Sequence, residues 1–306
     1  MSSHILGIDL GGTKIEGALL HRDNIQTPLC RTRVPTEGTR GYKHILHQVV
    51  TLCRSIEDQT GQPLPRKIGM GTPGITTPRT GLLKNSNTQC LNGMPLKQDL
   101  EDLLGVEFVM ANDANCFALA EATYGDAKNF ETVFGVILGT GVGGGLVVNG
   151  RVLNGCHGVA GEWGQLTMPG DPGEATPVSP HGAAGTIEAY IAGPALEAYY
   201  AGRAGTRVSL REVAERAAAG TDEHAVATID RLTSRFARAI SLIIHVFDPH
   251  AIVLGGGVGN IDALYTAETR EKIAQCVFGG EFTAEIVRPK LGDSAGVFGA
   301  AMLAAD

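Results

Sequence analysis

ILGIDLGGTKIEGALL, residues 5–20, sets the reading of the whole chain. Ile5, Leu6, Ile8 and Leu10 form a short apolar run that carries one acid, Asp9, into the pair Gly11-Gly12. A second β-like run, residues 15–20, leaves that pair. Strand, tight turn, strand is a hairpin pattern. Glycine lets the backbone approach a ligand and present its N–H groups, and Thr13 and Lys14 add donors, so the turn suits phosphate oxygens. Asp9 at its mouth suits Mg²⁺ or its water shell. The stretch is not a Walker A loop, which needs G-x-x-x-x-G-K-[ST] between a strand and a helix.

Outward from this hairpin the pattern reads β-β-β-α-β-α-β-α. Residues 27–35 supply a third strand, and 41–60 an amphipathic helix with Ile45, Val49, Leu52 and Ile56 on one stripe. A strand at 67–71 enters a long loop rich in Gly, Pro and Asn that runs to Pro95 and holds Asn85 and Asn87. Loops of that length in compact domains are usually functional. A helix at 96–104, a strand at 106–111 and a helix from a cap at 112–115 to about Tyr124 complete the first half. The device then recurs: strand 132–138, glycine turn GTGVGGG at 139–145, strand 146–149. Two copies predict duplicated halves. Residues 154–188 are irregular. Helices are expected at 187–201, 209–219, 224–246, 261–275 and 294–305, and strands at 251–254 and 284–289.

GTGVGGG also fits G-x-G-x-x-G, but that dinucleotide fingerprint needs a helix after the glycines. Here β-like LVVNGRV follows, so Gly139, Thr140 and Gly141 suit a polyphosphate instead. Gly255, Gly256 and Gly257 follow a buried strand, where a flat adenosine can lie against the main chain; a plain strand-to-helix turn is the alternative. Asp113 opens a helix, where an N-cap is the simple reading. Its polar neighbours Asn112 and Asn115 also place it to accept a proton from a substrate hydroxyl. Glu162 in AGEWG and Glu188 in GTIEAY stand where hydroxyls could be clamped, while His157 and His181 read as solvated side chains.

The chain has 306 residues and a formal net charge of −7, which argues against a phosphate-backbone reader. Six scattered cysteines with no C-x-x-C pair read as reduced thiols, and the start lacks a secretory pattern, so the expected location is cytoplasmic.

Taken together, IDLGGTK at 8–14, GTPG at 71–74, LLKNSNTQCLNG at 82–93, ANDANC at 111–116, GTGVGGG at 139–145, GVAGEWG at 158–164 and IVLGGG at 252–257 resemble the ROK family of sugar kinases across nearly the whole chain. The resemblance implies an α/β, actin-like ATPase (ribonuclease-H-like) duplicated fold of two domains with an interdomain cleft. Residues 1–118 plus 293–306 would form the small domain and 119–292 the large one. It implies Asp113 as general base and Gly71, Asn85, Asn87, Asn112, Asp113, Glu162 and Glu188 around the sugar. Asp9 would serve Mg²⁺. Gly11, Gly12, Thr13, Lys14, Gly139, Thr140 and Gly141 would hold the phosphates of ATP, and Gly255, Gly256 and Gly257 its adenosine. It also implies a homodimer. The wording of the KNSNT…LNG loop, AGEWG and the GDSAGVFGAA ending is most similar to bacterial fructokinases or manno(fructo)kinases. Phosphorylation of the 6-hydroxyl of fructose is therefore expected, with mannose and glucose as further candidates and N-acetylglucosamine or N-acetylmannosamine kinase as the alternative. A non-catalytic sugar sensor is the non-enzyme alternative. A sugar-sensing repressor of the family would carry a helix-turn-helix ahead of IDLGGTK, which begins here near residue 5. The family's zinc site is not matched: Gln165, Ser179 and Thr186 stand for a histidine and two cysteines, and His181 for another cysteine. No zinc is expected.

Overall fold

The computed structural model describes residues 3–24, 27–170, 176–179 and 184–305. The apolar run that opens the chain is β1 (His4–Leu10), and beyond the Gly11-Gly12 turn lies β2 (Lys14–His21), followed by β3 (Cys30–Pro35). Then come α1 (Tyr42–Thr60), β4 (Lys67–Thr72), the short pair β5 (Ile75–Thr76) and β6 (Leu83–Lys84), α2 (Leu96–Leu104), β7 (Glu107–Asn112) and α3 (Asp113–Tyr124). The second half holds β8 (Thr132–Leu138), β9 (Val142–Val148), β10 (Arg151–Val152), α4 (Ile187–Ile191), α5 (Gly193–Ala204), α6 (Leu210–Ala218) and α7 (Glu223–Phe247). It ends with β11 (Ala251–Gly255), α8 (Gly256–Gly259), α9 (Ala267–Cys276), β12 (Glu285–Val287) and α10 (Ala295–Leu303).

Two five-stranded sheets share one topology: β3-β2-β1-β4-β7 and β10-β9-β8-β11-β12. In each, a three-stranded hairpin series is extended by two strands, with β4 parallel to β1 and β7 to β4, and β11 parallel to β8 and β12 to β11. The repeated strand–glycine turn–strand device is thus the start of two copies of one sheet. The chain divides into two compact units, residues 1–128, 145–160 and 290–306, and residues 129–144 and 161–289. The structure draws this division differently from the expected 1–118/119–292 boundary. α3 is one unbroken helix past residue 118, and Gly145 lies against it, so close that a β-carbon there would be 2.6 Å from the Ala114 carbonyl.

In the first unit, period-two alternation sorts the two faces of the sheet. Gly17 faces Leu52 and Ile56 of α1, while Gly7 and Gly69 face α10. A β-carbon at Gly7 would lie 2.2 Å from the Val297 carbonyl oxygen, and one at Gly69 1.7 Å from that of Ala300. α10, with its sequence AGVFGAAML, therefore meets the sheet backbone to backbone. In the second unit, buried Trp163 sits edge-on to Phe134 and Phe236, with ring centroids at 5.7 and 6.5 Å, and its Nε1–H donates to the Gly143 carbonyl.

Four local expectations change, one being the helix expected at 261–275, which is a 3-10 turn at Asp262–Tyr265 followed by α9 after extended Thr266. The glycine turn is only residues 139–141; Gly143, Gly144 and Gly145 lie in β9, where Gly144 makes room for the Phe134 ring. Residues 187–204 form two helices, because α4 ends at extended Ala192 and Pro194 opens α5. The long loop carries the β5–β6 pair. Among the described residues no helix is long and apolar enough to cross a membrane.

Gly69→Ala should cost about 3 kcal/mol or more, since backbone must move to admit the methyl group. Gly202→Ala, in α5 with no atom within 4 Å of a new β-carbon, should stabilise by up to about 1 kcal/mol. Thermal unfolding of the two variants, displaced in opposite directions, checks the close approach of α10.

Candidate active site

Asp9 ends β1 beside Gly71 of β4. Gly71 and Gly296 flank its carboxylate: a β-carbon at Gly296 would lie 2.7 Å from Asp9 Oδ2, and one at Gly71 3.5 Å from Oδ1. Cys116 of α3, fully buried, packs next to Gly71. Burial first, then the charges of Asp113 and Glu16, push the Asp9 pKa up to about 6, with Lys14 opposing. The Asp9 carboxylate supplies hard oxygen donors of the kind a divalent cation such as Mg²⁺ takes.

Asp113 begins α3, but the cap is Asn112, whose Oδ1 accepts the Asn115 N–H at 2.8 Å. Asp113 is thereby released from capping. Its side chain is open to solvent, although surrounding protein still displaces enough water to raise its pKa above the ordinary carboxylate value; the Ala114 N–H (2.8 Å) and its own N–H oppose this. An exposed carboxylate of raised basicity is what a general base needs.

The register also assembles a charged row that the sequence reading did not single out. Glu16 lies opposite Asp9 on one side and Arg33 on the other, so Asp9, Lys14, Glu16, Arg31 and Arg33 share a face of the sheet. Glu16 is buried and paired with Arg31, with Arg33 at 2.9 Å and with Lys14 at 3.5 Å. Burial alone would raise its pKa, but hydrogen bonds from Arg31 and Arg33 outweigh that and hold it below the usual glutamate range. An acid inside the apolar run KIEGALL was the available signal.

The turn itself is tied by Gly11 N–H to Lys14 O (3.0 Å) and by buried Thr36, whose hydroxyl donates to Gly11 O at 2.7 Å and whose N–H donates to Thr13 O at 2.9 Å. Gly11, Gly12 and Thr13 remain at least partly open. Asn85 and Asn87 are both exposed, and Asn85 adopts a left-handed φ of 57°. Their loop is pinned by Asn92, which accepts the Ser86 N–H and donates to the Ser86 carbonyl, both at 2.9 Å.

In the second unit, Gly139 N–H donates to Gly141 O at 2.9 Å and Thr140 is exposed at the tip. Glu188 of α4 is buried against this turn, accepting the Val142 N–H at 3.1 Å, and a β-carbon on Gly141 would stand 2.9 Å from its Oε2. Glu162, half-buried, precedes the 3-10 turn Trp163–Gln165. Gly255 closes β11, and Gly256 has φ 82° with the Leu138 carbonyl 2.2 Å from where a β-carbon would be. Gly257 opens onto a cavity of about 880 Å³ walled by α6, α7 and α9, with Arg211, Glu215, Asp230, Thr233 and Lys272 in its lining.

The donors at the zinc-motif positions do not fit zinc. Gln165 is exposed, Thr186 caps α4 through the Ala189 N–H, Ser179 is buried, and His181 lies outside the described residues. Amide and hydroxyl oxygens do not make the thiolate and imidazole set of a tetrahedral site. Elemental analysis of purified protein should find far less than one zinc per chain, and treatment with a chelator followed by excess Mg²⁺ should leave activity intact.

Two copies of a 3-2-1-4-5 sheet, each opening on a glycine hairpin, define the actin-like ATPase fold, which the chain shares with ATP-dependent sugar kinases. The ROK family model matches residues 5–306, and the chain belongs to the ROK family. It is 36% identical over 304 residues to N-acetyl-D-glucosamine kinase of Haemophilus influenzae, covering 97% of this chain and 98% of the relative. It is 35% identical over 306 residues to the protein of that name from Pectobacterium atrosepticum, covering 97% of each. The ROK hexokinase of Thermus thermophilus superposes with a TM-score of 0.83 at 32% identity, covering 98% of this chain and 97% of that one. A ROK glucokinase of Streptomyces griseus, solved with glucose and AMPPNP, gives 0.74 at 25% identity, covering 98% and 99%.

Asp9 and Glu16 should respond oppositely to removal of charge. A carboxyl whose folded pKa is raised withdraws stability as pH climbs from 3.8 through about 6, so Asp9→Asn should stabilise the protein at pH 7 by on the order of 1–3 kcal/mol, and not at pH 3.5. Glu16, held low, contributes fully above the ordinary glutamate range and loses its contribution as pH falls through its depressed value. Glu16→Gln should therefore cost about 2–4 kcal/mol at neutral pH. Urea unfolding at the two pH values reads both signs.

Proposed function

We propose that the protein is an ATP-dependent N-acetylglucosamine kinase that phosphorylates the 6-hydroxyl of the free sugar. The observation carrying the choice of sugar is the full-length similarity, 35–36% identity, to relatives of that name. This favours the amino-sugar alternative over fructose, whose support was the wording of short loop motifs. A cavity of about 490 Å³ beside Asn112 has a mixed lining, with Ile75, Pro78 and Met110 next to Lys97, Glu107 and Asn115.

Asp113 accepts the hydroxyl proton as the sugar oxygen attacks the γ-phosphorus. The new P–O bond forms while the bond to the bridging oxygen breaks and ADP leaves. Gly71, Asn85, Asn87, Asn112, Glu162 and Glu188 are assigned to the sugar. The N–H groups of Gly11, Gly12 and Thr13, with Lys14, and those of Gly139, Thr140 and Gly141 are assigned to the phosphates. Arg31 and Arg33, fixed by Glu16, add positive charge on the face that carries Asp9. Gly255, Gly256 and Gly257 and the cavity beside them take the adenosine. Asp9 would hold Mg²⁺, which when bound offsets charge on the transferring phosphoryl group. The same reading makes the protein cytoplasmic and homodimeric, in line with its six free thiols.

ADP release should be fastest with N-acetylglucosamine in a panel with N-acetylmannosamine, fructose, mannose, glucose and allose. Asp113→Asn should lower kcat at least about 10²-fold while sugar binding persists. Wild-type kcat should fall on the acid side at a pH above the ordinary aspartate range, because the protonated Asp113 carboxyl cannot accept a proton. Fructose as the preferred substrate would overturn the amino-sugar reading, and undiminished turnover in Asp113→Asn would remove the base.

A further inference from the structure

Behind the Gly139–Gly141 turn, three arginines and two tyrosines alternate. Arg203 lies over the Tyr199 ring at 4.6 Å and Arg231 over the same ring at 4.4 Å. Arg231 is also 5.3 Å from the centre of the Tyr190 ring, which Arg235 approaches at 5.2 Å. Arg231 further donates to the Tyr190 carbonyl at 2.9 Å. Tyr190 belongs to α4, Tyr199 and Arg203 to α5, and Arg231 and Arg235 to α7. The row therefore fastens both short helices to the 25-residue helix α7.

Those two helices are what the turn is tied to. α4 presents Glu188, which accepts the Val142 N–H, and the first residue of α5, Gly193, donates its N–H to the Gly139 carbonyl at 2.8 Å. α4 is only five residues long and has Thr186 as its cap, so its own hydrogen bonding cannot fix its direction. On its N-terminal approach Ser179 and Thr186 offer hydroxyl oxygens where a structural zinc would need thiolates.

We infer that the Arg203–Tyr199–Arg231–Tyr190–Arg235 row positions the phosphate turn, acting through α4 and α5 on Glu188 and Gly193. The inference rests on the reading of residues 139–141 as a phosphate site. Guanidinium groups over ring faces are attracted by the ring quadrupole, and partial burial strengthens the attraction. Here Tyr190 is buried and Arg231 half-buried.

The test is steady-state kinetics on Tyr199→Phe, Tyr199→Leu, Arg231→Met and Gly141→Ala. Tyr199→Phe keeps the ring and should behave as wild type. Tyr199→Leu and Arg231→Met should raise KM for ATP about five- to twentyfold with kcat within about twofold. Should Tyr199→Leu fail to fold, Arg231→Met makes the same measurement. Gly141→Ala, whose methyl group would meet Glu188, tests the turn directly and should raise KM for ATP by at least as much. An unchanged KM for ATP in Gly141→Ala would sink the phosphate reading and the inference with it. A raised value there beside wild-type values in Arg231→Met and Tyr199→Leu would overturn the positioning role alone. Equal damage from Tyr199→Phe and Tyr199→Leu would also overturn it, since the ring would not be the agent.

Discussion

The contact of α10 with the first sheet, backbone against backbone, is the constraint on which the first unit depends. Gly7 and Gly69 bring β1 and β4 against the backbone of α10, Gly296 makes room for the Asp9 carboxylate, and a β-carbon at Gly299 would lie 1.8 Å from the Cys116 carbonyl of α3. Such an approach fixes where β1 ends relative to both helices. Asp9 sits at that end with peptide groups and a thiol around it, so water is scarce and its negative charge is poorly compensated. The fold holds the carboxylate there at a cost in stability, as sites that must bind a cation or phosphate commonly do. Lys14 alone among the charges acting on Asp9 opposes the rise in its pKa, and it cannot cancel burial plus two like charges.

Glu16, directly opposite Asp9 across the hairpin, is the contrary case. Its carboxylate is buried, yet two guanidinium groups and an ammonium saturate it. A buried acid so paired adds little net stability compared with an apolar residue of the same size. Its physical consequence is rigidity: Lys14, Arg31 and Arg33 are long side chains that would otherwise sample many rotamers, and a shared anchor holds them on the face of Asp9. Positive charge kept in place does not have to be reorganised when a phosphoryl group passes.

What was legible in the sequence was what depends on local chemistry. The two glycine hairpins, the duplicated sheets and the placement of Asp113 just inside a helix follow from runs of a few residues, and the structure has them. The extent of the second turn was misread because glycine serves two ends. At Gly139 and Gly141 it shapes a turn, whereas at Gly144 and Gly145 it admits the Phe134 ring and the α3 backbone, and only the partner reveals which. Glu16 with its arginines, Thr36 bridging back to Gly11, Asn92 clasping Ser86 and the arginine–tyrosine row all depend on partners from other elements or on pairing register. No window along the chain displays them.

The sugar was the least legible part, and the reason is energetic. Phosphoryl transfer to any hexose needs the same carboxylate and the same phosphate turns, so these residues define a class and are silent within it. Choosing among hexoses takes only a few kcal/mol, set by whether one or two substituents find a partner or an apolar wall. Such contacts are made by loop residues and pocket walls, whose identity carries no pattern of spacing. A few words of loop sequence pointed to fructose. Some 300 aligned positions are shared with relatives named N-acetyl-D-glucosamine kinase, and on them the proposed acetamido sugar rests. The longer record weighs more because pocket shape is a property of the supporting core as well as of the residues that touch the substrate.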